Sequence, residues 1–102
     1  MNRFGRPIRE STIEDACGRL AKSLGWWHRK FKSPGKRSAP DRIFAKNGRV
    51  FFVEFKAPGK EPTELQLLEH EDMRAAGLLV FVCDSVQAFK SVLERLPYLN
   101  SD

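Results

Sequence analysis

Three charged residues, Asp41, Glu54 and Lys56, stand at the open end of a segment otherwise written as a core hairpin, "APDRIFAKNGRVFFVEFKAP", residues 39–58. Asn47-Gly48 at its middle is a dipeptide that a two-residue type I′ turn prefers. With those two as the loop, Lys46 pairs with Arg49, Ala45 with Val50, Phe44 with Phe51, Ile43 with Phe52 and Arg42 with Val53. The next pair is Asp41 and Glu54. Directly opposite residues share a face, with Cβ atoms about 4.5–5.5 Å apart. Lys56, two residues beyond Glu54, shares that face. Opposed carboxylates repel, and a divalent cation would compensate them. Mg²⁺ prefers oxygen ligands and keeps waters that a phosphate can replace. A lysine beside it can orient or deprotonate an attacking water, or neutralise charge in the transition state. A structural reading also exists, with Asp41 capping a turn after Pro40 and Glu54 paired to Lys56 or Arg42. All three at this spacing in a basic chain favour the metal site.

The remaining elements must hold that hairpin end in place. "STIEDACGRLAKSLG" reads as a helix, with Ser11 as N-cap, Glu14 at the capping-box position and Gly25 as terminator. Ile13, Cys17, Leu20 and Leu24 give it one buried stripe. "WWHRKFK" alternates as a strand, "SPGKRSAP" is a basic loop, and the hairpin strands span about 42–46 and 49–57. Thr63 begins a second helix, with Gln66 at the capping-box position and Leu65, Leu68 and Met73 among its apolar contacts. "LLVFVC" is a strand covered on both faces. "DSVQAFKSVLERL" is a last helix with Val86, Phe89, Val92 and Leu93 inward, ending before Pro97. The order αβββαβα, with a hairpin followed by a helix crossover, gives an α/β fold whose mixed sheet is flanked by helices. Residues 1–10 read as a basic N-terminal arm, 11–97 as a single domain and 98–102 as a tail.

A chain of 102 residues, 41% hydrophobic and 30% charged, fits one globular domain. No apolar run approaches the roughly 20 residues of a membrane span. "MNRFGRPIRE" has no apolar segment behind its arginines, so no signal peptide is read there. Cys17 and Cys83 lie in apolar patterns without metal-ligand spacing and are expected as buried free thiols in a reducing cytoplasm. The net charge of +5 and a pI near 9.6 favour nucleic acid as partner. The basicity is concentrated ahead of the hairpin. "HRKFKSPGKR" would bring Arg29, Lys30, Lys32, Lys36 and Arg37 beside the carboxylates as phosphate contacts, while Arg3, Arg6 and Arg9 could track a second duplex arm. Trp26 and Trp27 are expected as core or dimer contacts. Neither His28 nor His70 has a partner at metal-ligand spacing.

With Pro40-Asp41 followed by Glu54-Phe55-Lys56 on the next strand, the sequence resembles the PD-(D/E)xK nuclease superfamily, and the αβββαβ order is similar to its restriction-endonuclease-like core. The compact size, the helix carrying Glu14, the "TELQ" segment and "LLVFVC" look like the VRR-NUC family, the virus-type replication-repair nucleases, over about residues 10–96. That resemblance implies a Mg²⁺- or Mn²⁺-dependent DNA endonuclease, similar to Holliday-junction resolvases and homodimeric. It implies Asp41 and Glu54 as metal ligands, the Phe55 carbonyl as a backbone ligand, and Lys56 serving the nucleophilic water. Glu14 matches the acidic residue of the first helix, reaching the metal directly or through water. Gln66 matches a glutamine that supports the site. Glu14 and Gln66 each have a second role open to them as capping-box residues. A restriction- or repair-type endonuclease with another DNA preference, and a non-catalytic nucleic-acid-binding module, are the alternative functions.

Overall fold

The computed structural model describes residues 5, 7–33, 35 and 38–99. The hairpin has the register its turn residues dictate: strands β2 (Arg42–Lys46) and β3 (Arg49–Phe55) pair from Lys46↔Arg49 to Arg42↔Val53. Asn47 and Gly48 both take positive φ, 52° and 78°, as a type I′ turn requires. Strand β1 (Trp27–Lys30) adds antiparallel to β2. Strand β4 (Leu79–Cys83) adds parallel to β3, which a crossover must reach, and helix α2 (Glu64–Ala75) supplies it. The sheet order is β1-β2-β3-β4. Helices α1 (Glu10–Ser23) and α3 (Val86–Leu99) complete the α/β fold.

Strand pleating sorts the side chains. Phe44, Phe51, Val53, Phe55 and Cys83 project to one face and meet Ile13, Cys17 and Ala21 of α1 and Phe89, Val92 and Leu96 of α3. Phe44 stacks on Phe51 at 5.0 Å, and Phe89 leans on both. Each fully buried phenylalanine contributes on the order of 2–3 kcal/mol. Both thiols lie in this core, where burial pushes Cys17 up to about 11 and Cys83 to about 12. The opposite face carries Glu54 and Val80 under α2, and beyond α2 it lies open. Trp27 is 48% exposed and Val50 is exposed beside half-buried Ile43 and Ala45.

Several expected details change. Helix α1 starts at Glu10 with Arg9 as N-cap and no side-chain cap, so Ser11 does not cap it and Glu14 is not a capping-box residue. Strand β3 stops at Phe55 rather than residue 57. Helix α3 continues through Pro97 to Leu99. In α2 the helical period holds but its phase is rotated. Leu65 is 71% and Leu68 56% exposed, while Gln66, Glu69, His70 and Met73 form the inward stripe. The polar side turns inward because a buried carboxylate lies beneath it.

Candidate active site

The expected Asp41–Glu54 cross-strand pair is replaced by a bulge. Arg42 is the partner of Val53, and the Asp41 N–H also reaches the Val53 carbonyl, at 2.9 Å. Asp41, just ahead of β2, and Arg42 therefore both meet Val53 of β3, the two-against-one pattern of a bulge, which re-aims the extra side chain. On the other edge the β1 ladder continues, with Phe31 N–H donating to the Asp41 carbonyl at 2.8 Å. Asp41 is thus fixed from both sides, and its carboxylate Oδ2 accepts from Phe55 N–H at 2.6 Å. Glu54 and Asp41 still bring ligand oxygens within 4.8 Å of one another.

The third carboxylate of the cluster is Glu10. Ligand atoms of Glu10, Asp41 and Glu54 all lie within 4.8 Å of one another. Glu14, one turn further along α1, turns to β2 instead: Arg42 Nε donates to its Oε2 at 2.7 Å, and Lys30 Nζ stands 4.0 Å away. Glu10 and Glu14 are four residues apart on one helix face. Their i, i+4 spacing was the signal that either could reach the hairpin end. An N-cap set two residues too late, at Ser11 instead of Arg9, concealed the first of them.

Crowding dominates the electrostatics. Burial raises the Glu54 carboxyl, with the Asp41 charge adding to it, up to about 8, against a lowering pull from Lys56. Burial also raises Asp41, opposed by its hydrogen bond from Phe55 N–H, and raises Glu10, with Asp41 adding to it. The Lys56 charge favours ionisation of all three. Its own N–H donates to the Cys83 carbonyl at 3.0 Å, so it is anchored to β4 although it lies just past the end of β3.

Gln66 makes both a capping box and a contact with Glu54. Its backbone N–H donates to Thr63 Oγ1 at 3.2 Å, and its side-chain Oε1 accepts from Thr63 N–H at 2.9 Å. That leaves Nε2 to donate to Glu54 Oε2 at 3.3 Å. The capping box therefore aims the amide at the site.

An open cleft of about 400 Å³, lined by Glu14, Lys30, Phe31, Lys32, Ser33, Ala39 and Asp41, leads to the carboxylates. Lys30 and Lys32 sit on its wall. Arg29 turns to the other face of the sheet, with its guanidinium 4.9 Å from the Trp27 ring. Arg9 is exposed ahead of α1. Arg3, Arg6, Lys36 and Arg37 lie outside the described residues.

Such a site offers a cation three convergent carboxylates and a neighbouring ammonium. Glu54 Oε1 is buried without a hydrogen-bond partner among the described residues. The donor set is all oxygen and short of positive charge, so it fits a hard divalent ion.

No protein-family model matches the chain. It is 46% identical over 89 residues to "Putative nuclease p44" of Acyrthosiphon pisum secondary endosymbiont phage 1, an alignment covering 86% of this chain and 95% of that protein. Among solved structures it resembles a "VRR_NUC domain" with a TM-score of 0.76 and 31% identity, covering 83% of this chain and 94% of that one.

Proposed function

This chain belongs to the VRR-NUC family of nucleases, and from that premise we propose that it is a metal-dependent DNA endonuclease. The observation that carries this reading is the convergence of ligand atoms of Glu10, Asp41 and Glu54 within 4.8 Å, with Asp41 also lining a lysine-walled cleft. Asp41, Glu54 and Glu10 would hold Mg²⁺ or Mn²⁺, with the Phe55 carbonyl as a backbone ligand. Glu14 acts from the side, through Arg42. When bound, the ion supplies the positive charge that activates water and stabilises the pentacovalent phosphorus.

The chain's own groups do the rest. Asp41 and Glu54 hold their oxygens on a backbone fixed by the bulge and by Gln66. Lys56 offers its ammonium to the attacking water and to charge developing on the phosphate. Water gives up a proton as its oxygen forms the new bond to phosphorus in line, the bond to the departing sugar oxygen breaks, and that oxygen takes up a proton in exchange. Lys30 and Lys32, with Lys36, Arg37 and the arm residues Arg3, Arg6 and Arg9, would hold phosphates without reading bases. The nuclease domain in this reading is residues 11–97, extended by Glu10 from the arm of residues 1–10 and followed by the tail 98–102.

Two finer features belong to the same reading. The protein acts as a homodimer on branched DNA of the Holliday-junction type, inside a bacterial or phage-infected cell. Support for the dimer is the open sheet face around Trp27 and Val50 together with the exposed leucines of α2. Cutting two strands also calls for two sites, which two-fold symmetry supplies. Among the described residues no helix is long and apolar enough to cross a membrane.

Cleavage of a labelled four-way junction and its matching linear duplex, with Mg²⁺, Mn²⁺ or EDTA, tests the reading in wild type and Lys56→Ala. Metal-dependent cutting, lost in the variant and favouring the junction, is expected. Equal cutting of the duplex would move the substrate to the restriction or repair type. Tight binding with no cutting in any metal would leave a binding module.

A further inference from the structure

His70 is the one fully buried side chain of α2, at 0% exposure, and it is polar. Neither ring nitrogen has a hydrogen-bond partner among the described residues. A leucine or phenylalanine would fill the same space without leaving a buried N–H unpaired. The polar atom it faces is Oε1 of Glu54, 3.6 Å from Nε2, and that oxygen is equally buried and equally without a partner. The two orphaned atoms face each other. The gap exceeds hydrogen-bond range by a few tenths of an ångström, roughly what rotation of one carboxylate about its last bond covers.

We propose that His70 is a positioning residue for the nuclease site: its Nε2–H donates to Oε1 of Glu54 while Gln66 Nε2–H donates to Oε2. The inference rests on the reading of Glu54 as a cation ligand. Gln66 and His70 lie four residues apart on α2, so their side chains point the same way and reach the two oxygens of one carboxylate. Together they fix the plane of that carboxylate from the α2 side. One oxygen of that carboxylate lies within 4.8 Å of ligand atoms of Asp41 and Glu10. Ligand carboxylates are commonly held this way by outer hydrogen bonds.

The geometry also fixes the tautomer. A neutral imidazole carries one proton for two nitrogens. Nε2 faces an acceptor and Nδ1 faces none, so the proton belongs on Nε2. An unprotonated Nδ1 is the cheaper atom to leave without a partner. Arg74, on the same helix, gives its Nη2–H to the Val80 carbonyl at 2.7 Å and so does not compete for the imidazole.

Two measurements test this. In the metal-free wild-type protein, long-range ¹H–¹⁵N correlation of the histidine ring is expected to show a protonated Nε2 and a bare Nδ1 for His70. The opposite tautomer would overturn the proposal. Mn²⁺ binding by calorimetry is then compared in wild type, His70→Met and His70→Gln, each checked for folding by circular dichroism. Loss of an outer-shell donor typically weakens metal binding about 10-fold or more, so His70→Met should fall by that factor. His70→Gln, which keeps an amide N–H in place of Nε2–H, should recover most of it. Wild-type affinity in a folded His70→Met protein would reduce His70 to core filling. If that variant does not fold, the tautomer decides. Absence of Mn²⁺ binding by the wild type would overturn the metal reading instead, and the tautomer would still report whether His70 orients Glu54.

Discussion

Replacing Glu54 by glutamine is expected to abolish cleavage while making the metal-free protein more stable at high pH. Glu54 is 2% exposed, and its carboxyl is pushed from 4.5 up to about 8 by burial and by Asp41. A carboxyl whose folded pKa lies above its unfolded one keeps a proton that the unfolded chain releases. Stability therefore falls as pH rises from about 4.5 to about 8, and stays low above that. Each tenfold difference in proton affinity between the folded and unfolded chain is worth about 1.4 kcal/mol, which sets a ceiling of about 5 kcal/mol. Relaxation of the site toward Lys56 and water lowers the real figure. Half the ceiling would still move the melting temperature of a domain of this size by about 10–20 °C. Glutamine keeps the shape and one of the two acceptor oxygens, turns its NH2 toward the other donor, and never ionises. Thermal melts in EDTA at pH 5, 7 and 9 should show the variant gaining little at pH 5 and most at pH 9. Mn²⁺ should raise the melting point of the wild type at pH 8 and leave the variant unmoved. A stability difference that does not vary with pH, or a variant less stable at pH 9, would refute the reasoning. The Glu54 proton would then not be held by the fold.

Three further outcomes follow from particular contacts. Glu10→Gln should weaken Mn²⁺ binding by about 10-fold or more, because a ligand of the cluster is lost, whereas Glu14→Gln should chiefly destabilise the fold, by about 2–3 kcal/mol, by leaving the half-buried Arg42 guanidinium underpaired; calorimetry and urea midpoints separate the two, and the reverse ranking would return the ligand role to Glu14. Lys56→Ala should lower kcat by roughly 10²–10³ with Mn²⁺ affinity changed only a few-fold, measured under single-turnover conditions. Gly48→Ala, at φ 78°, should cost about 1 kcal/mol in urea denaturation with activity retained, since an added Cβ there strains the turn but touches nothing.

The hairpin was legible because its information is local: Asn47-Gly48 imposes the turn, the turn imposes the register, and the register carries Arg42 to Val53. The bulge at Asp41 was not, since nothing in "APDR" signals that two residues will share the Val53 carbonyl. Helix α2 shows the limit of hydrophobic patterning. Leu65 and Leu68 mark an inward face when burial alone decides, but the sheet beneath α2 presents a carboxylate, and Gln66 and His70 face it. At α1 the error is one of boundary. Ser11 and Glu14 match a capping box, yet the helix begins at Glu10 and spends Glu14 on Arg42. That partner lies 28 residues away in sequence, beyond the reach of local pattern. His70 carried no signal in spacing, because its partner is a single oxygen on another element.

Helix α2 also has a mechanical side. Its one fully buried group is the imidazole resting on Glu54, and all three of its leucines are exposed, so little apolar burial holds it down. Lifting α2 would wet Glu54 and leave that carboxylate without its Gln66 contact, which makes helix and site one unit of local unfolding. The backbone amides of α2 should therefore exchange with deuterium through a partial opening well below the global unfolding energy. Those of α1 and α3, seated on the phenylalanine core, should wait for global unfolding. Any ligand that fixes Glu54 would slow exchange along the whole of α2, so the helix reports on the state of a site it barely lines.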